Sequence, residues 1–187
     1  IYRCLQRELP RIRPFMADWR LARPARAAHK AEMLRQTLEL LGEKKQIDGY
    51  LDIGGNDRHA GLLRKRVAIS GPILRTPADG GDPEPLPASL ADASFDVVSC
   101  YIGLHHCAPD RIDAFVQSIA RVLRPGGVFI LRDHDVRDER MRALVALAHT
   151  VFNAGLGETW ETNAAERRHF APITYWCALL KRAGLRD

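Results

Sequence analysis

Three short stretches hold the residues whose types and spacing could do chemistry. The first is Asp52-Ile53-Gly54-Gly55-Asn56, a carboxylate, two glycines and a residue that tolerates left-handed backbone, all in one turn. A turn free of side chains brings backbone N–H groups close to a ligand; a plain strand-to-helix turn is the alternative. The second runs from Cys100 and Tyr101 to Leu104-His105-His106. Imidazole titrates near neutral pH, so His105 or His106 could be a general base, with a structural role at a helix entry as the other use. The third is Asp133-His134-Asp135. Its three polar side chains could contact a substrate, hold a metal together with His105, His149 or His169, or simply cap a helix. Further along, the pair Arg167-Arg168 would suit a carboxylate or phosphate, or a solvated helix start.

These stretches need elements to position them. Tyr50-Leu51-Asp52-Ile53, Ser94 to Tyr101 and Val128 to Arg132 are short apolar runs bounded by turn residues, as in strands buried on both faces. A helix is expected from the glycine turn to about Arg66, and short strands at 67–70 and 73–74. Asp110 to Leu123 carries one apolar face and stops at Arg124-Pro125-Gly126-Gly127. Helices are also expected over 27–41, 141–152 and 173–183. Residues 1–26 should break into short helical pieces at Pro10, Pro14 and Pro24; 43–49 should be a polar connector and 155–166 a loop. Alternating strands and helices argue for an α/β fold, a mostly parallel, doubly wound sheet with helices on both faces. Ligands then sit beyond the carboxyl ends of the strands, where all three polar stretches fall.

Composition sets limits. A chain of 187 residues, 46% hydrophobic and 27% charged, has the make-up of one ordinary soluble domain. It has no apolar run of membrane-spanning length, and its first residues lack the core of a signal peptide. The four cysteines form no C-x-x-C pair, so free thiols in a reducing cytoplasm are expected. The net charge of +5 is concentrated in residues 1–45, which hold eleven Lys/Arg against five Asp/Glu. Such an arm can face RNA, a membrane surface or an acidic substrate, or be a solvated helical face. Aromatic residues do not alternate with its arginines, which speaks against a single-strand stacking platform.

Several motifs in order resemble the class I S-adenosylmethionine-dependent methyltransferases of the broad small-molecule type, over roughly Tyr50 to Leu185. Asp52-Ile53-Gly54-Gly55 resembles the first motif. Gly81-Asp82-Pro83-Glu84-Pro85-Leu86-Pro87 is similar to the segment whose Asp meets the adenine amino group. Ser94 to His106 resembles the fourth strand and its L-H-H ending. Ile119 to Phe129, with Arg124-Pro125-Gly126-Gly127, is the most specific match, and Trp176 to Leu185 is similar to a late helix of the family.

The resemblance implies a Rossmann-like fold that binds S-adenosylmethionine. Cofactor contacts would come from Asp52, Gly54, Gly55, Asn56, Asp82, Cys100 and Tyr101. His105 and His134 would be catalytic. His106, Asp133, Asp135, His149 and Arg168 would contact the acceptor, and no metal is assigned. Residues 1–45 would be a basic helical cap and 46–187 the methyltransferase domain, with 136–175 shaping the acceptor pocket. The expected activity is methyl transfer to a small molecule in the cytoplasm, with no membrane partner. RNA or protein methylation and a catalytically inactive binding module are the alternatives. Two departures stand out. The acid that would hold the ribose falls, by count, near Arg75, with Asp79 the only nearby acid. The interval from Asp52 to Asp82 is also short by about a helix and a strand. The short interval, the missing Met and an ending before the family's last strands suggest a partial chain with an internal gap; a real deletion that weakens cofactor binding is the alternative.

Overall fold

The computed structural model describes residues 1–16, 19–54, 57–76, 84–101 and 103–186. Among these residues four parallel strands form one sheet: β1 (Gln46–Ile53), β2 (Ala68–Thr76), β3 (Phe95–Tyr101) and β4 (Leu123–Arg132), in the order β2-β1-β3-β4. The chain moves outward from β1 to β2, then returns past β1 to β3. That reversal is the switch point of a doubly wound sheet, and it lies between β1 and β3.

Among the described residues seven helices flank the strands: α1 (Tyr2–Met16), α2 (Trp19–Leu41), α3 (Asp57–Leu63), α4 (Ile112–Val122), α5 (Glu139–Leu156), α6 (Trp160–Ala165) and α7 (Ile173–Arg182). Successive strand residues point to opposite faces, so two cores form. Leu51, Ile53, Val98 and Cys100 pack with Phe115, Ile119, Trp176 and Leu179 of α4 and α7. Ile47, Tyr50, Val97 and Ile130 pack with Leu41 of α2 and Ala60 and Leu63 of α3. Both faces of the sheet are therefore covered at β1 and β3, which explains why these two strands read as apolar runs, whereas β2 at the edge has no buried residue.

Several expected boundaries move. The connector 43–49 is not one: β1 begins at Gln46, because Ile47 is fully buried against α2 and α3. The two short strands at 67–74 are one strand, β2, with a register shift opposite Asp48 and Tyr50. Gly71 sits in that irregularity at φ +75, where an added Cβ would lie 2.2 Å from Asp48 Oδ1. The short pieces expected before Ala27 are two helices. Pro24 is inside α2, where its missing N–H gives up one i→i−4 hydrogen bond. The Arg124–Gly127 turn bulges out between Leu123, paired with Phe95, and Val128, paired with Val97. Arg124 closes this end by pairing with Asp48 at 2.9 Å and Asp96 at 3.5 Å. Part of the expected loop 155–166 is α6, capped by Thr159, whose side chain accepts from Thr162 N.

Candidate functional site

The site is built from the segments at the carboxyl ends of the strands. After β1 the chain turns at Gly54, φ +64, and an added Cβ there would meet nothing within 4 Å. The turn thus needs a left-handed residue and borders open space. Gly54 N donates to Thr76 Oγ1 at the end of β2, 3.1 Å away. Asp52 is buried, 1% exposed. Its Oδ1 accepts from Ser99 Oγ at 2.8 Å, and Ser99 also bonds the Tyr50 hydroxyl at 2.8 Å. Burial raises the Asp52 carboxyl above its ordinary range; the Ser99 hydrogen bond and the charge of Arg75 offset part of that. Register pairs Asp52 with Arg75 of β2.

Cys100 and Tyr101 end β3 on opposite faces. The Cys100 thiol is buried in the α4–α7 core and raised by that burial. The Tyr101 hydroxyl meets Thr37 Oγ1 of α2 at 3.2 Å and is pushed up to about 12, mainly by burial. A cleft of about 90 Å³ lies between α2 and the ends of β3 and β4, lined by Thr37, Tyr101, Leu131 and Arg132 among others. That is small beside the roughly 300 Å³ or more of ordinary ligand pockets. Gly55, Asn56, Asp79 and Asp82 lie outside the described residues. Leu86 is buried and its N donates to Ser118 Oγ of α4 at 2.8 Å.

Beyond β3 and β4 a second group assembles. His105, in a 3₁₀ turn over Leu104–His106, is fully buried. Its Nδ1 is 2.7 Å from Asp133 Oδ1, just past β4. Asp133 also accepts from the backbone N of His105 at 3.2 Å and of His134 at 2.7 Å. Burial pushes the Asp133 carboxyl up, but these hydrogen bonds outweigh it and leave the group below its ordinary range. His134 Nε2 lies 3.1 Å from His149 Nε2 on α5. His106 Nδ1 donates to the Arg167 carbonyl at 3.0 Å and sits 3.6 Å from Glu166. Burial, then the neighbouring His105, lowers His106, His134 and His149, the last to about 4.

The structure therefore brings His105, His106, Asp133, His134 and His149 together. Arg168 is committed to Glu166, Asn163 and Thr150 at 2.6–3.2 Å, and Asp135 to Arg137 and Ile173 N, ahead of α7. Sequence reasoning did not single out Ser99, Thr76, Glu166 or Asn153. A serine inside a strand buried on both faces needs a buried partner, and that was the signal for Ser99. The others depend on chain segments that only folding brings together.

A family model described as "Methyltransferase domain" matches residues 55–131. No curated protein matches. Among solved structures, the chain is similar to a candidate methyltransferase of Bacillus halodurans (22% identity, 81% of this chain and 65% of that one, TM-score 0.53). It is similar also to an S-adenosylmethionine-dependent methyltransferase of Archaeoglobus fulgidus (17%, 87% and 70%, 0.55). A third is PigF, solved with S-adenosylhomocysteine (15%, 97% and 63%, 0.54). The chain thus spans about two thirds of the length of these structures. At such identities the structures speak for the fold. The fold is that of the class I S-adenosylmethionine-dependent methyltransferases.

Proposed function

We propose that this chain transfers a methyl group from S-adenosylmethionine to a small-molecule acceptor in the cytoplasm. The observation that carries the reading is the meeting of three strand ends at one rim. The Gly54 turn stands at the switch point there, and the histidine–carboxylate group follows the neighbouring strands β3 and β4. The residues present fit the cofactor. Gly54 gives backbone access to open space, and Asp52 holds a buried carboxylate that a ligand ammonium would relieve.

S-adenosylmethionine supplies a methyl carbon already activated by a positive sulfur. What this chain adds is position and a dry pocket, which can account for about 7–11 kcal/mol in well-oriented cases. Asp52 would bind the ammonium, directly or through water. Gly54, Gly55 and Asn56 would let the backbone approach, Asp82 would accept from the adenine amino group, and Cys100 and Tyr101 would flank the pocket. His105 and His134 act on the acceptor, with Asp133 orienting His105 through Nδ1. His106, Asp135, His149 and Arg168 belong to the acceptor side, within the segment 136–175 or packed against it.

Residues 1–45 serve as a cap rather than a nucleic-acid arm. Among its described basic side chains, Arg35 pairs with Glu32 and Glu39, and Lys44 donates to the Gly126 carbonyl. No helix among the described residues is long and apolar enough to cross a membrane. The test is incubation with methyl-labelled S-adenosylmethionine and a panel of hydroxylated, amine and thiol metabolites, read by product mass. Label entering a small molecule is the expected result. Label entering only RNA or protein would overturn the acceptor assignment.

A further inference from the structure

The acceptor side holds the densest group of metal-ligating side chains among the described residues. Ring nitrogens of His105, His134 and His149 all lie within 4.8 Å of one another. They come from three elements: the turn after β3, the segment after β4, and α5. Phe170 packs against all three rings, with centroids 5.2–5.7 Å away.

His105 supplies the independent observation. Its Nδ1 is taken by Asp133, and its Nε2 is buried without any partner. A buried polar atom left unmet loses the hydration it had in water and gains nothing in exchange. The 3.1 Å approach of His134 Nε2 to His149 Nε2 is explained by one shared proton, but that proton does nothing for His105. A single cation among the three rings satisfies all of them. A carboxylate on the far nitrogen of a ligating histidine is also the usual outer partner of such sites.

Resting on the acceptor-site reading above, we propose that His105, His134 and His149 bind one divalent transition-metal ion of the zinc type, with Asp133 as the positioning residue for His105. Tetrahedral bonds of about 2.0–2.1 Å set ligand nitrogens roughly 3.3 Å apart. One pair is already near that spacing, and the third ring has to close by no more than about 1.5 Å. Three imidazoles leave one position open, as in catalytic rather than structural zinc sites. That position takes an oxygen of a hydroxylated acceptor. The bound hydroxyl gives its proton to water; its oxygen then forms the bond to the methyl carbon as the carbon–sulfur bond breaks, and that electron pair stays on sulfur. The other combination, His106, His149 and Glu166, is weaker. Glu166 is already held by Arg168 and Asn153, and His106 by the Arg167 carbonyl.

The test uses the untagged full chain, stripped by chelator and titrated with Co²⁺ as a visible probe, with Zn²⁺ as competitor. One equivalent of cobalt with the intense visible bands of a four- or five-coordinate ion, displaced by zinc, is the expected result. His134→Ala and His149→Ala should each weaken uptake at least 100-fold, and Asp133→Asn by 10–100-fold. His29→Ala, on an exposed part of α2, should leave it unchanged. Thermal unfolding without metal checks that each variant folds, and His149→Gln replaces any that does not. Wild-type uptake no greater than that of the His134→Ala/His149→Ala double variant would overturn the proposal. Titration of the same stripped chain with S-adenosylhomocysteine separates the two readings. Nucleoside binding without metal uptake rejects the metal site alone.

Discussion

Asp52 is a carboxyl held in a buried place. Its carboxyl is raised above 3.8 by burial, so the folded state holds that proton more tightly than the unfolded chain does. Stability contributed by this group is therefore highest in acid. It falls as pH rises from the unfolded value near 4 through the folded one, then levels off. Asp52→Asn removes that fall, and thermal unfolding between pH 4 and 8 should show a flatter profile with Tm at neutral pH equal to or above wild type. The same variant should bind S-adenosylmethionine at least ten-fold more weakly, read by calorimetry. Gly54 gives the complementary case. A side chain at its left-handed φ costs about 1–2 kcal/mol, and Gly54→Ala should lower Tm by roughly 2–8 °C. The added Cβ meets no protein atom, so any further loss of cofactor affinity reports obstruction of the ligand itself.

At the scale of elements, the placement of His149 depends on how α5 is started and tied. Asp138 caps it by accepting from Met141 N at 2.7 Å, and Gly157 ends it at φ +87. Asn153 then joins α5 to Glu166 at 2.7 Å and so to Arg168. Asp138→Ala should cost about 0.5–2 kcal/mol, measured by denaturant unfolding, and should loosen the helix that carries His149. The elements legible in the sequence were those with uniform burial: β3, α4 and α7 stand close to where their apolar periodicity put them. The misread ones were set by partners far along the chain. Gln46–Gly49 reads as polar linker, yet it is strand because β2 and the Asp96 carboxylate supply its hydrogen bonds. The Arg124–Gly127 turn was seen, but its place inside the β3–β4 ladder was not, because register is a property of two strands. The same holds for the site. His105, His106 and Asp133-His134 stood out by type and by position after strands. The His134–His149 contact needed the path of α5.

Across the whole molecule, the N-terminal helices do two jobs. Thr37 of α2 is buried and holds Tyr101, so α2 is part of the sheet's cover. By contrast, α1 packs against the other end: Tyr2 is buried, its hydroxyl donates to the Glu158 carbonyl at 3.1 Å, and its ring lies 5.4 Å from Trp160. Tyr2→Ala should therefore speed amide exchange in α5 and α6 and leave β1 and β3 protected, read by hydrogen-exchange mass spectrometry. If the basic segment instead served RNA, binding would fall steeply with salt; a cap predicts no such binding. A nucleoside slot formed by the ends of β1 and β3 at the switch point can be sought by calorimetric titration of the full chain with S-adenosylhomocysteine. The account predicts one site of micromolar affinity, about −8 kcal/mol, weakened at least ten-fold in both Asp52→Asn and Gly54→Ala. Absence of binding, or equal affinity in wild type and both variants, would contradict it.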